Sequence, residues 1–321
     1  MRVRFALLLA IAITALTFND GSQADEWPTR PIRVIIPLSA GSAADVVPRI
    51  VFEQVSAQLG QAVVIENRPG ASGTIASRAV ATADPDGYTF LAHSSAHVIS
   101  PSTVANLSYD PIKDFAAVAP LGNLPLVLVI APSKNIKSVQ ALVALGKTRP
   151  ISFGSIGVGS PIRLAMERLR LSAGFQEQAI PFKGAPEAVV EVMTGRVDVY
   201  YSPVTAALHF IQDGKLLALA VSSPTRSPTL ANVPTTLESG YANSDYRFWI
   251  GVFAPAKTPR AIVAKLNAEI EKAIQVPAVR EKLAKLGVQP MSMDAAQFDK
   301  FVKQELVVNA ELAKAAGLTA Q

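Results

Sequence analysis

The 321-residue sequence has no cysteine and only three histidines, and each scarcity closes a class of chemistry. Without thiols there are no disulfides, no thiolate-held metals and no cysteine nucleophile. A catalytic centre would have to draw on carboxylates, Lys, Tyr or Ser, and no motif assembles them. There is no Gly-x-Ser-x-Gly elbow. Gly146-Lys147-Thr148 resembles the end of a phosphate loop, but Ala stands at position 141 and the preceding residues read as helix. His93 and His97 have a metal-ligand spacing only on a helix, whereas the residues between them follow a strand with no acid adjacent, so no metal is expected. Aromatics make up 7% of the chain and the basic excess is only +5. The basic residues are dispersed and not interleaved with aromatics, which argues against nucleic acid. Beyond Phe18 no stretch offers eighteen uninterrupted apolar residues for a membrane span.

What is present begins with a leader. Arg2 and Arg4 precede an apolar run from Phe5 to Phe18, and Ser22-Gln23-Ala24 supplies the small residues of a cleavage site. The expectation is a secretory signal peptide over 1–24, cut after Ala24, and a periplasmic location. The remaining 297 residues carry a net charge of +4 and suffice for two ordinary domains. Short apolar runs alternate with helical patterns, which reads as α/β. Strands are predicted at Ile32–Ile36, Ala62–Glu66, Tyr88–Ala92, Ile151–Gly154, Ala179–Phe182, Val197–Tyr201 and Leu216–Val221. Helices are predicted from Val46 to Leu59, where Gly60 stops the first, over Thr74–Thr82 and over Pro259–Ile274, Pro277–Leu286 and Ala295–Ala316. Val118–Ala131 and Phe248–Pro255 read as two connections between lobes. The division is therefore 25–123 plus 246–321 for lobe 1 and 124–245 for lobe 2, with a hinged cleft between.

Two loops stand out. In RVIIPLSAGSAADVVPRI, residues 33–50, a strand ends in Pro37, Leu38, Ser39, Ala40, Gly41 and Ser42, and a helix with Asp45 in its first turn follows. In ISFGSIGVGSPIRLAMERLR, residues 151–170, a strand ends in Ser155, Gly157, Gly159 and Ser160, and Pro161 opens a helix. Small residues serve a tight turn, and they also let an anion reach the unpaired amides at a helix start. One such unit in each lobe favours the second role and points to a carboxylate. Asp45 reads more as a cap than as a ligand contact. Further candidates at strand ends are Ser94, Ser95, Ser202 and Tyr201. Arg163 is a candidate bidentate partner for a carboxylate, and Lys183 is a candidate ligand contact that reads more as a solvated surface charge. Phe182, Tyr201 and Trp249 line an aromatic pocket or belong to the core.

The ordered pieces WPTRPIRVIIPLSAGSAAD, VVIENRPGASG, DPDGYTFL, YDPIKDFAAVAPLG, PFKGAPEAVVEVMTGRVDV, GKLLALAVSSPTRSP, NVPTTLESG and FWIGVFAPAKTP, spread from Trp27 to Gly317, resemble the tripartite tricarboxylate transporter substrate-binding proteins, the Bug family. The resemblance implies a two-lobe type II periplasmic binding protein fold. It implies a monomer without cofactor or enzyme activity that captures a small organic acid, aliphatic or aromatic, for the membrane permease subunits of the transporter. It also implies that the turn 37–45, the opposite turn 155–160 and the loops around Ser94 and Ser202 hold the ligand. This chain departs from the family where Ser42 replaces the second Gly of Ala-Gly-Gly, where Pro161-Ile162-Arg163 follows Ser160, and where Ser202 replaces Asp. Less negative charge and an added Arg favour a di- or tricarboxylate over an amino acid. A periplasmic hydrolase and a sensor subunit are the alternatives.

Overall fold

The computed structural model describes residues 27–70, 73–318 and 320; the expected leader lies outside them. Two five-stranded sheets organise the chain. The first holds β1 (Ile32–Ile36), β2 (Val63–Asn67), β3 (Thr89–Ser94), β4 (Phe115–Leu124) and β10 (Phe248–Pro255). The second holds β5 (Leu126–Ile130), β6 (Ile151–Ser155), β7 (Glu177–Pro181), β8 (Val199–Pro203) and β9 (Leu217–Val221). Their orders, β2-β1-β3-β10-β4 and β7-β6-β8-β5-β9, follow one plan. Three parallel strands come first, and the antiparallel fourth has just arrived from the other sheet.

The helices are α1 (Ala43–Leu59), α2 (Thr74–Ala81), α3 (Ala96–Thr103), α4 (Val139–Gly146), α5 (Pro161–Ala173), α6 (Ala185–Met193), α7 (Val204–Gln212), α8 (Arg260–Gln275), α9 (Pro277–Lys285) and α10 (Ala295–Ala315). Val47, Val51 and Val55 recur every four residues and bury one stripe of α1, which ends where Gly60 turns left-handed. Phe298 and Val302 do the same for α10 against Trp249 and Phe253, and an Asp294–Gln297 capping box fixes its start.

Val118–Ala131, expected as a plain connection, forms two strands, and Phe248–Pro255, read as a strand that connects the lobes, is β10. β4 and β5 are separated by Pro125 alone, and β10 lies between β3 and β4. Every residue of β5 and β10 is buried, so no alternation betrays them. Ser94 and Ser202, expected in loops, are the last residues but none and one of β3 and β8. Where the chain passes between sheets, Ser222 ties the two passages together. Its amide donates to Leu126 O (2.8 Å) and its hydroxyl to Tyr246 O (3.0 Å), while Leu126 N donates to that hydroxyl (3.3 Å) and Tyr246 N to Ser222 O (2.6 Å).

At the end of the second sheet remote from the turn 155–160, Asp198 is 3% exposed and collects Lys134 Nζ (2.9 Å), both terminal nitrogens of Arg149 (2.8 and 3.0 Å), Ser152 N (3.0 Å) and Ser152 Oγ (2.9 Å). Burial alone would raise its pKa, but these donors outweigh burial and hold it well below the ordinary carboxylate value.

Candidate functional site

The predicted loops lie at strand ends of the two sheets. Pro37 is buried at the end of β1, and Ala40 and Gly41 are exposed beyond it. Asp45 is 2% exposed and works as a strut. Its Oδ2 accepts from Gly41 N (2.8 Å), and its Oδ1 accepts from Arg49 Nε (2.9 Å) and Asn67 Nδ2 (2.8 Å). Asn67 Nδ2 also donates to Leu38 O (2.9 Å), so one amide side chain from β2 pins both ends of the turn. Burial pushes the Asp45 carboxyl up, and the bonds from Arg49, Asn67 and Gly41 bring it to a net value below the ordinary one. Its charge is matched by Arg49, which leaves the start of α1 positively polarised. Arg49 and Asn67 are supporting residues that the sequence reading missed. Their signal was the i,i+4 spacing of Asp45 and Arg49.

Ser42 is the N-cap of α1, yet its hydroxyl caps nothing. The Oγ is buried without a hydrogen-bond partner, whereas Asp45 N and Val46 N bond to Ser42 O. The amides of Ala43 and Ala44 donate no hydrogen bond to the other described residues. Two amides and a hydroxyl thus stand together at one helix terminus.

The opposite turn differs from its expectation. Ser160 was expected to offer a free hydroxyl, but Ser160 Oγ donates to Gly157 O (2.8 Å) and accepts from Arg163 N (3.2 Å), so it serves as the cap of α5. Pro161 contributes no amide, and Leu164 N bonds to Ser160 O. The amide of Ile162 donates no hydrogen bond to the other described residues. The Arg163 guanidinium is turned inward within its own lobe, paired with Glu167 and with Glu177 (2.7 Å). Glu167, which also pairs with Arg170 (2.6 Å), and Glu177 balance the two guanidinium charges, and Arg163 Nη1 is buried without a hydrogen-bond partner; the added-cation argument for a dicarboxylate loses its basis. Burial raises the Glu177 pKa, with Arg163 pulling the other way.

The remaining candidates divide. Ser155 is buried, its carbonyl accepting from Phe182 N (2.7 Å). Ser94 and Ser95 are buried, and Ser95 N is anchored to Trp249 O (2.9 Å). Ser202 is buried with its hydroxyl on Pro203 O (3.1 Å). Tyr201 is fully buried with an unpartnered hydroxyl, and burial drives its pKa up. Lys183 is exposed. Trp249 is core: its indole donates to Glu305 Oε2 (3.0 Å) and packs on Phe298 and Phe301.

Gly159 lies against α3, a helix that packs with the first sheet. A Cβ on it would lie 2.6 Å from Thr103 Oγ1 at the end of α3. We expect Gly159→Ala to lower stability by about 1–3 kcal/mol through overpacking. Thr103→Ala should restore most of it, because only Thr103 Cβ then remains, at 3.5 Å. Urea titrations of the two single variants and the double variant test the pair; additive losses would show that the contact is not the cause.

Comparison with known proteins agrees with this layout. A family profile described as tripartite tricarboxylate transporter family receptor matches residues 47–318. Protein BugT of Bordetella pertussis is 34% identical over 307 residues, 94% of each chain. An R. palustris protein, Rpa4515, solved with adipate, superposes with a TM-score of 0.85 at 29% identity, over 92% of this chain and 100% of that one. The periplasmic binding protein BugD superposes with a TM-score of 0.82 at 31% identity, over 92% and 100%. The chain therefore belongs to the tripartite tricarboxylate transporter receptor family, whose members are periplasmic solute-binding proteins of the Bug type.

Proposed function

We propose that this chain, exported and cut after Ala24, captures a small organic carboxylate between its two sheets and delivers it to the permease subunits of a tripartite tricarboxylate transporter. It does so as a monomer and without chemical turnover. The observation that carries this reading is the start of α1, where Ser42 Oγ and the Ala43 and Ala44 amides stand unpartnered beside a charge-matched Asp45. Such a terminus suits a carboxylate oxygen. The Ile162 amide at the start of α5 is the matching contact from the second sheet. The division at 124 and 245, with hinge passages on either side of Ser222, gives closure an axis. The adipate bound to Rpa4515 supports an acid as the guest.

A helix terminus contributes about 0.3–2 kcal/mol and each charge-assisted hydrogen bond about 1.5–3. Four such contacts, less the cost of ordering and closure, reach micromolar affinity, about −8 kcal/mol. The test is a thermal-shift screen of refolded, ligand-stripped protein against mono-, di- and tricarboxylates. A stabilising acid that is recovered unchanged is the expected result. Ser42→Ala should weaken that acid about tenfold and leave the ligand-free melting temperature within a degree or two. Unchanged affinity would remove the α1 terminus from the site.

A further inference from the structure

His93 is the penultimate residue of β3, 1% exposed, and lies opposite Gly251 of β10. Ser94 N donates to its Nδ1 (2.8 Å), which places the proton of the neutral ring on Nε2. That Nε2–H is buried and has no hydrogen-bond partner. It faces Gly73, the residue before α2: a Cβ there would lie 3.1 Å from Nε2 and 3.0 Å from Pro37 Cβ. Gly73 is left-handed (φ +88°) and bare, so the ring edge is met by backbone and not by a side chain. Pro37 belongs to the turn that leads into α1, and β1 and β3 are adjacent parallel strands. Two buried, unpartnered hydrogen-bonding groups thus belong to the C-terminal side of neighbouring strands: Ser42 Oγ past the end of β1, and His93 Nε2 on the last residue but one of β3. Folded proteins rarely leave such groups unsatisfied.

We propose that His93 is a specificity-determining residue: its Nε2–H donates to a second oxygen acceptor of the guest, beyond those taken by the start of α1. This rests on the carboxylate reading above and narrows it. The class preferred is acids with a further carboxylate, carbonyl or hydroxyl oxygen. Burial and the neighbouring His97 ring, 5.8 Å away between centroids, hold His93 uncharged. A neutral donor selects by the position of an acceptor more than by its charge. That separates it from Arg163, which Glu167 and Glu177 already occupy.

The experiment compares the full mature protein with His93→Phe and His93→Gln by calorimetry, using adipate and its monocarboxylate analogue hexanoate within a wider acid panel. His93→Phe should weaken the best dibasic or hydroxy acid about ten- to hundredfold and its monobasic analogue less than threefold. His93→Gln, which keeps a donor, should fall between. A long-range ¹H–¹⁵N spectrum should show the Nε2–H tautomer in ligand-free protein and a shifted Nε2 resonance on binding. Equal losses for both acids, affinities within twofold of the parent, or an Nδ1–H tautomer would overturn the assignment of His93 alone. A parent that binds no carboxylate would overturn the carboxylate reading and this inference with it.

Discussion

Asp198→Asn is expected to cost about 3–5 kcal/mol, among the largest losses of any single exchange in the second sheet. The reason is the sign of its partners. All five hydrogen bonds to the carboxylate come from donors: Lys134, two from Arg149, and the amide and hydroxyl of Ser152. Asn would aim an NH2 group at donors, in a position where the Asp side chain is 4% exposed. The two cations are partly in water, with side-chain exposures of 25% for Lys134 and 46% for Arg149. Their direct Coulomb contribution is therefore screened, and the loss lies mainly in the stranded polar groups. Urea denaturation followed by far-UV circular dichroism measures it. Fluorescence would miss part of it, since both tryptophans, Trp27 and Trp249, pack with the first sheet. A loss under about 1 kcal/mol would mean that water replaces the carboxylate at no cost.

Acid should weaken the first sheet over a different pH range. His97 is fully buried against Phe115, Phe253 and Tyr109, with Nε2 bonded to Pro111 O (3.0 Å). Burial lowers its pKa from 6.5 to about 4, with the Pro111 bond opposing, and His93 is lowered too. In the unfolded chain both imidazoles take up protons near 6.5; in the folded chain they do not. The stabilisation is complete above pH 6.5, declines as pH falls, and levels off below about 4. At about 1.4 kcal/mol per unit, His97 alone accounts for about 3 kcal/mol. Glu177 and Glu305 act in the opposite direction, because burial raises their pKa values. Comparing the parent with His97→Gln at pH 7 and pH 4.5 isolates the imidazole. The variant should lose markedly less stability between the two; identical losses would rule out His97 as the source. Asp198 behaves differently, since its lowered pKa keeps the base of the second sheet paired until well below 3.8.

Much of the fold was legible because the parallel strands and amphipathic helices carry their periodicity openly, as Val47, Val51 and Val55 show for α1. β4 and β5 were not, because strands buried on both faces read as uniform apolar runs interrupted by Pro120, Gly122 and Pro125. The strand-to-helix turn from Pro37 to Asp45 was readable, but Asp45, expected to cap helix amides, instead holds Gly41 N, Arg49 and Asn67. The direction of a single side chain was harder to foresee. Arg163 lies one helical turn from Glu167, which its spacing hinted at, but Glu177 arrives from another strand. Ser160 and Ser42 occupy the same N-cap position on their helices, yet one hydroxyl caps and the other does not. Residue type does not distinguish them, nor does the extended backbone that both serines adopt; the direction of the hydroxyl does.

Ser222 has a mechanical consequence. Because one short side chain and its own backbone hold both passages, the two halves cannot slide or twist independently without breaking those four bonds. In the proposed closure, a swing about a line through this knot would keep all four and bring the jaws back to one alignment each time they shut.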